Sequence, residues 1–362
     1  MVKIAIMSNT ARNMLLPPAS DLMRVVFLYV AQGESTLLFI PSGASHQTML
    51  IDSNQGRKHG GINLVTMLQD LFESRTNDGL TYFVNTHPHS DHAGGLDEIL
   101  DAIPIGNVWH SGHNPGKNHE DAYQAVQRLR KSVQEKGGED RTITGTRTTE
   151  SIGDAVFNML SPAAYVQDEI GCEDPEVRYR RIHEHCAVLR FGYGSPNPTY
   201  VMITGDSDKC AWSEHITDYH GNGDENRLRA QILSAAHHGS RTFFKTNEQD
   251  PEPFTRHMDL ISPTHLILSA PLQEESCHGH PHKDALEIYR RYVEEDAILH
   301  TGSGRRSFIC DIYSDGQYLI NDDGGELARA YGFNDDGDGG NGNKLGSSGP
   351  YIISQVDRRP MG

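Results

Sequence analysis

A single large α/β domain is predicted for this chain of 362 residues. Strand-like runs rich in β-branched residues alternate with amphipathic helical patterns along most of the chain, and no internal repeat interrupts them. The length is ample for burying a large core. The predicted boundaries are a loose lead-in over residues 1–20, a domain over 21–320, and a flexible Gly- and Asp-rich tail over 321–362.

The first half of the domain alternates strands with helices. Leu64, Leu68 and Leu71 recur on one face, which predicts an amphipathic helix. Strands are predicted over residues 24–30, 36–40, 48–51, 80–85 and 105–109. Helices are predicted over residues 61–73, 94–103 and 120–134.

The second half continues the alternation after a polar stretch, residues 135–149, that is predicted to be a loop. Gly194, Ser195 and Pro196 separate two apolar runs and predict a hairpin. Strands are predicted over residues 151–160, 186–193, 199–204, 231–235, 264–269 and 307–313, and helices over 208–219, 224–230 and 282–294.

Charge and cysteine usage exclude several classes of protein. Lys and Arg total 32 against 49 for Asp and Glu, a net charge of −17 that excludes a generally basic nucleic-acid coat but leaves room for a local basic groove. No run approaches the ~20 apolar residues that a membrane span needs, and residues 1–20 do not resemble a signal peptide. Five cysteines without a Cys-x-x-Cys pair argue against a disulfide framework and predict a cytoplasmic protein.

Histidine is abundant, with 20 residues, and it is clustered rather than scattered. The sharpest cluster places His87, His89, Asp91 and His92 in one short loop between a predicted strand and a predicted helix. At this spacing His87 and His89 can bind one divalent ion, and Asp91 and His92 can reach a second. The loop therefore predicts a dinuclear metal site.

The segment from His87 to His92 is the HxHxDH signature of the metallo-β-lactamase superfamily, and the chain resembles that superfamily over most of residues 24–319. It looks more narrowly like the hydrolase domain of ComEC-type competence proteins and their soluble relatives. The segments that carry the narrower resemblance are FLYVAQGES at 27–35, LIDS at 50–53, ITGD at 203–206, HHGS at 237–240 and GHPH at 279–282. The resemblance implies a four-layer αββα sandwich with mixed sheets. Tyr29 and Ala31 depart from it, because that family usually has Asp and Gly at these positions.

The resemblance also implies the remaining residues of the site. Asp206 is expected to bridge two cations, and Asp52 to orient the metal-binding loop by hydrogen bonds without binding an ion. Either His183 or His185 is expected to complete the site of His87 and His89. Either His237 or His238 is expected to complete the site of Asp91 and His92.

The expected activity is hydrolysis by a hydroxide derived from a water that two divalent ions activate. Zinc is the default for such a histidine-rich site, and manganese or iron are alternatives. Asp91, His238 or His280 is expected to carry the proton to the leaving group. His280 could equally be a simple loop residue.

The expected substrate is an anionic phosphodiester, either a nucleic acid or a nucleotide. Arg178, Arg180 and Arg181 form a basic run just before His183 that could bind phosphate groups. One alternative is hydrolysis of a lactone, lactam or thioester at the same centre, and another is a binding module without turnover. The histidines at 110, 113 and 119 are expected to be solvated.

Overall fold

The computed structural model describes residues 10–73, 79–116, 119–169, 172–222 and 226–333. Two mixed β-sheets form its centre. The first has eight strands, in spatial order β15 (Tyr318–Asp322), β14 (Phe308–Ile312), β1 (Met23–Phe27), β2 (Thr36–Ser42), β3 (Ser45–Ile51), β4 (Leu80–Asn85), β5 (Ile105–His110) and β6 (Asp140–Thr142). The pairs from β3 to β6 are parallel, and the others are antiparallel.

The second sheet has seven strands and is also mixed. Their spatial order is β13 (Ile298–His300), β12 (His265–Leu268), β11 (Ile232–Ser234), β10 (Thr199–Ile203), β9 (Val188–Tyr193), β8 (Ala155–Ser161) and β7 (Glu150–Ile152). The pairs from β10 to β13 are parallel, and those from β7 to β10 are antiparallel.

The two sheets pack face to face through one apolar core. Alternate residues of each central strand point to opposite faces, so Val25 of β1 meets side chains such as Phe191 of β9 between the sheets. The intervening Val26 faces outward into a second core beneath helices. Burial of both faces explains why the strands read as nearly continuous apolar runs in the sequence.

Helices cover both outer faces, which completes the predicted αββα sandwich. The first sheet is covered by α1 (residues 10–15), α2 (Leu64–Phe72), α4 (Leu96–Ala102), α5 (Glu120–Glu135) and α11 (Glu326–Tyr331). The second is covered by a π-helical segment (Ala211–Ile216), α8 (Thr217–Gly221), α9 (Arg256–Ile261) and α10 (Lys283–Tyr289). Three short helices belong to loops near the sheet edges, namely α3 (Ser90–Ala93), α6 (Ala164–Asp168) and α7 (Pro175–Arg180). The predicted fold class is confirmed.

Two predicted elements differ from the structure for local reasons. Residues 226–230 are not helical, because the Asn226 side chain accepts the backbone N–H of Leu228 at 3.0 Å and forms a turn instead. The single strand predicted over 151–160 is a hairpin of β7 and β8, because Gly153 adopts a positive φ of 52° and reverses the chain.

The chain contributes to the domain on both sides of the predicted boundaries. Ala11 and Leu15 of α1 are buried in the core under the first sheet. Beyond residue 320, β15 runs to Asp322, and Leu327 and Tyr331 of α11 pack into the same core. The rest of the predicted tail, from residue 334, lies outside the described residues. Within the described part of the chain, no helix has both the length and the apolar character needed to cross a bilayer.

Candidate metal centre

The residues that the sequence assigns to metal binding meet at one edge of the sandwich, where strands of both sheets end. Asp52 follows β3 and His87 follows β4, while Asp206 follows β10 and His238 follows β11. Since β3 and β4 are parallel, as are β10 and β11, each pair of strands delivers its C-terminal loops to the same place.

The first group consists of His87, His89, His183 and Asp206, each of which offers one ligand atom within 4.8 Å of those of the others. Nε2 of His87 is 3.6 Å from Asp206 Oδ2, and Nε2 of His183 is 3.9 Å from the same oxygen. The Nε2 atoms of all three histidines are buried and have no hydrogen-bond partner in the described part of the chain. A buried nitrogen without a partner is costly unless something else satisfies it.

The second group consists of Asp91, His92 and His238. The Nε2 atoms of His92 and His238 face each other at 3.2 Å, and His238 Nε2 is 3.4 Å from Asp91 Oδ2. Two imidazole nitrogens facing each other can share one proton at most, whereas both lone pairs can point at one cation.

Asp206 lies between the two groups. Its Oδ2 faces the first group, while its Oδ1 lies 3.0 Å from His92 Nε2 and 3.5 Å from His238 Nε2. Oδ1 nonetheless has no aligned hydrogen bond. A carboxylate with one oxygen directed at each group is placed to bridge two cations.

Hydrogen bonds at the other ring nitrogen orient three of these imidazoles. Nδ1 of His92 is 2.7 Å from Asp52 Oδ2, that of His238 is 2.8 Å from the carbonyl oxygen of Ser269, and that of His87 is 3.2 Å from Thr86 Oγ1. Engaging Nδ1 leaves Nε2 free to bind a metal, which is the usual arrangement around histidine ligands.

The backbone around the site adopts unusual conformations. His237 and His238 have φ of 51° and 56°, a left-handed conformation that costs energy for residues other than glycine. The hydrogen bond from His237 N to the carbonyl oxygen of Gly205, 2.9 Å long, ties this turn to the loop that carries Asp206. Gly33 approaches the same region so closely that a Cβ would lie 2.5 Å from the backbone oxygen of Asp91.

Burial and neighbouring charges set the protonation states of the first group. Burial would raise the pKa of Asp206, but His237 and the imidazoles around it outweigh burial and hold that pKa well below its ordinary value. Burial lowers the pKa of His87 far below its ordinary value and that of His89 to about 3. An ionised carboxylate and neutral imidazoles are the forms that bind metals.

In the second group the neighbouring carboxylates favour the protonated form of the histidines. Burial opposes the charge on His92, yet the carboxylates of Asp206 and Asp52 raise its pKa well above the ordinary value. Burial also opposes the charge on His238, and Asp206 and Asp91 raise its pKa. A cation bound by this group would displace these protons and neutralise the carboxylates in their place.

The residues present fit two divalent cations. Seven nitrogen and carboxylate ligands converge in two groups that share Asp206, and four of their atoms are buried without hydrogen-bond partners. Cys186 lies beside His87 with its Sγ 3.6 Å from Nδ1, but burial raises the pKa of its thiol well above the ordinary value. The donor set is therefore histidine and carboxylate, which suits zinc, manganese or iron.

The structure distinguishes between the alternatives that the sequence left open. His183 belongs to the first group, whereas His185 is fully buried and its ring faces His113 at 4.9 Å instead. His238 belongs to the second group. His237 belongs to neither group, although its Nε2 is 3.4 Å from Asp206 Oδ2, and its Nδ1 is 2.9 Å from Thr242 Oγ1.

His280 lies beside the centre without joining either group. Its ring is 5.1 Å from that of His237 and 6.1 Å from that of His238. Burial, together with His238, lowers its pKa to about 3, and its Nδ1 has no hydrogen-bond partner. His280 is thus a neutral imidazole at the rim of the metal groups.

The three arginines of the predicted basic run differ in their surroundings. Arg181 is held by Glu169, Glu173 and Glu184, so its charge is already neutralised by three carboxylates. Arg180 is exposed at the end of α7. Arg178 is half-buried and packs against the loop that follows His113, since a Cβ at Gly116 would lie 3.2 Å from its Nε.

Sequence reasoning missed the surroundings of four residues. Glu34 is buried with its carboxylate close to Asp52 and His92, and it accepts the hydroxyl of Ser234 at 2.5 Å. His119 was expected to be solvated, but its ring contacts that of His89 at 4.0 Å. His110 and His113 were expected to be solvated as well, but both are buried, His110 at the end of β5 and His113 against the ring of His185. Only the GES segment at Gly33 hinted at Glu34.

One further cluster of potential ligands is already satisfied. Glu184, Cys210 and His215 lie close together, but Glu184 pairs with Arg181 at 2.6 Å and with His215 Nε2 at 2.7 Å. Burial and the nearby carboxylates raise the pKa of Cys210 to about 12, which keeps the thiol protonated. This cluster is a network of ion pairs at the surface.

Comparisons with known proteins agree with the fold. Residues 65–158 match the family described as Metallo-beta-lactamase superfamily, a segment that includes the loop from His87 to His92. No curated protein matches the chain. Similar solved structures include the metallo-beta-lactamase fold protein YhfI from Bacillus subtilis, with 11% identity over 77% of this chain and 96% of that one and a TM-score of 0.40.

Two other solved structures are more distant. A diphosphatase from the PhnP family has 11% identity over 77% of this chain and 94% of that one, with a TM-score of 0.34. The flavodiiron protein from Giardia intestinalis has 12% identity over 52% of this chain and 39% of that one, with a TM-score of 0.28.

Proposed function

We propose that the chain is a metal-dependent hydrolase of phosphodiesters, since its residues 65–158 match the Metallo-beta-lactamase superfamily. The observation that carries the proposal is the placement of Asp206, with one carboxylate oxygen toward each of two groups of inward-facing imidazoles. Such a pair of groups, sharing one carboxylate, suits hydrolysis at a dinuclear centre.

His87, His89 and His183 would hold one cation with Asp206, and Asp91, His92 and His238 would hold the other. When bound, the two cations would supply Lewis acidity for a phosphoryl oxygen and lower the pKa of a coordinated water. The chain's own part is orientation, since Asp52 fixes His92 and the backbone of Ser269 fixes His238.

Asp91 and His238 are engaged within the second group, so His280 is the residue that would donate the proton to the leaving group. The His280 ring lies at the rim of the metal groups. Its Nδ1 has no hydrogen-bond partner among the described residues, so this nitrogen is not held by another contact. A phosphate anion beside it would raise its pKa from the low value that burial imposes, since a nearby negative charge favours the protonated form.

Two features favour phosphorus over carbonyl chemistry. Within the described residues Arg178 makes no ion pair and lies against the loop that follows His113, while Tyr179 stacks on His119 at an interplanar angle of 17°. A cation combined with stacked rings suits a nucleotide or nucleic-acid strand. A small neutral lactone or lactam carries no negative charge for the Arg178 guanidinium to bind.

The test combines metal content with turnover on one preparation. Elemental analysis should find about two divalent ions per chain, and bis-p-nitrophenyl phosphate should be hydrolysed faster after addition of Zn²⁺ or Mn²⁺. Asp206→Asn, which keeps the size of the side chain but removes its charge, is the matched control and should lose both. Two ions with hydrolysis of lactones but not of phosphodiesters would favour the carbonyl alternative.

A further inference from the structure

A cluster of polar groups without partners lies beside the metal centre but belongs to neither metal group. His113 is 2% exposed and His185 fully buried, and their rings meet edge to face at 4.9 Å. Among the residues that the structure describes, all four ring nitrogens of this pair lack a hydrogen-bond partner. Buried imidazoles that lack every partner are rare in stable proteins, because each unpaired nitrogen carries a desolvation cost.

Arg178 adds an unneutralised positive charge to this pair. Its Nε is buried without a hydrogen-bond partner, and across the ranges that the structure describes its guanidinium makes no ion pair. The guanidinium packs on the loop that carries His113, since a Cβ at Gly116 would lie 3.2 Å from both its Nε and its central carbon. A half-buried guanidinium without a carboxylate is unusual in a chain of net charge −17.

We propose that Arg178, His113 and His185 form a binding subsite for an oxyanion, into which a second phosphate group of the substrate is received. A guanidinium and two neutral imidazoles offer N–H donors, which phosphate oxygens require, and no carboxylate of the described chain is paired with them. A third metal ion is the wrong occupant, because the fixed charge of Arg178 would repel it.

The position of the subsite makes it part of substrate recognition. His113 lies close enough to His89 and His183 of the first metal group for their charges to influence it. The inference rests on the proposed function only in that the substrate's scissile phosphate would lie at the metal groups. It narrows the substrate class to phosphodiesters that carry a second phosphate, such as a 5′-phosphorylated nucleotide unit or a nucleic-acid strand.

The test measures binding of inorganic phosphate to the purified full-length chain by isothermal titration calorimetry. We expect Arg178→Met, which keeps the unbranched stem, to lose one phosphate-binding event or to bind there at least about tenfold more weakly, because hydrogen bonds between a guanidinium and a phosphate are among the strong ones. The control is Arg291→Ala, which removes one exposed charge far along the chain at the end of α10 and should bind phosphate as the parent does.

A second variant tests the imidazoles separately. His113→Gln retains a hydrogen-bond donor of different reach, so it should weaken the same binding event severalfold while the metal content measured on the same sample stays unchanged. Equal phosphate binding by Arg178→Met and the parent would overturn the subsite. Loss of metal in parallel with loss of phosphate in either variant would also overturn it, since the residues would then act through the metal groups.

The outcome for the subsite is separable from that of the proposed function. Phosphate binding that depends on Arg178 in a chain that does not hydrolyse bis-p-nitrophenyl phosphate would support the subsite and refute the phosphodiesterase. If the parent hydrolyses the phosphodiester but Arg178→Met and the parent bind phosphate equally, the subsite alone is refuted.

Discussion

His92 connects the buried carboxylate of Asp52 to the second metal group through its two ring nitrogens. Nδ1 lies 2.7 Å from Asp52 Oδ2, and Nε2 lies 3.2 Å from His238 Nε2. Asp52 is itself fixed, because its Oδ1 accepts the backbone N–H of Thr86 at 2.7 Å and its Oδ2 accepts the hydroxyl at 2.6 Å. The orientation of His92 therefore depends on a residue that lies outside the metal groups.

Asp52→Asn should weaken metal binding without abolishing it. An amide can turn its NH2 toward Nδ1 and favours the wrong tautomer of His92, and loss of such a supporting hydrogen bond typically costs about 10–100-fold in metal affinity. Chelator competition measures this directly. The matched control is Asp323→Asn, another buried aspartate, which accepts backbone N–H groups at the start of α11 and should leave metal affinity unchanged. Unaltered affinity in Asp52→Asn would contradict the supporting role.

The adjacent histidines His237 and His238 should behave differently when each is replaced by alanine. His238 is within the second group, so His238→Ala should lower the metal content toward one ion per chain. His237 contacts the shared carboxylate from outside both groups, so His237→Ala should keep the parent's metal content. Elemental analysis of the two variants side by side distinguishes them. Loss of an ion in His237→Ala alone would reverse the assignment.

The sequence was sufficient for the fold class and for the loop that carries His87 to His92, because both follow from local patterns. It could not separate His183 from His185, since both lie in one turn between α7 and β9, and only the folded chain determines which of them faces the first metal group. The sequence also could not show that the charge of Arg181 is neutralised, because Glu169, Glu173 and Glu184 come close to it only after the chain folds. The short strands β6 and β13 were missed because three residues carry too little pattern.

Removing a ligand of one metal group, or the ligand that both groups share, should abolish turnover while leaving the fold largely intact. His87→Ala removes a ligand from one group, and Asp206→Ala removes the carboxylate common to both, so hydrolysis should fall by at least about 100-fold in each case. The cores between and outside the sheets do not include these side chains. Far-UV circular dichroism should accordingly match the parent. Parental turnover in either variant would refute the assignment of the metal groups.

His257 gives a test of stability that is independent of the metal centre. It is fully buried among Trp212, Phe243, Phe244 and Phe254, and neither of its ring nitrogens has a hydrogen-bond partner. Burial lowers its pKa to about 3. In the unfolded chain its pKa returns to about 6.5. Below about pH 6.5 the unfolded state binds a proton at His257 that the folded state does not bind. The parent therefore loses stability as pH falls toward the pKa of the folded state.

His257→Phe removes this proton-linked penalty and keeps an aromatic ring in an aromatic cluster. The free energy of unfolding of the variant minus that of the parent should therefore grow by about 1.4 kcal/mol per pH unit as pH falls from about 6 to about 4. Urea unfolding of both chains at several pH values, with equal metal content, gives this difference. Every other titrating group is common to the two chains and cancels. Two stability curves that run parallel between these pH values would mean that His257 is protonated in the folded protein, and that the interior around it is open to water.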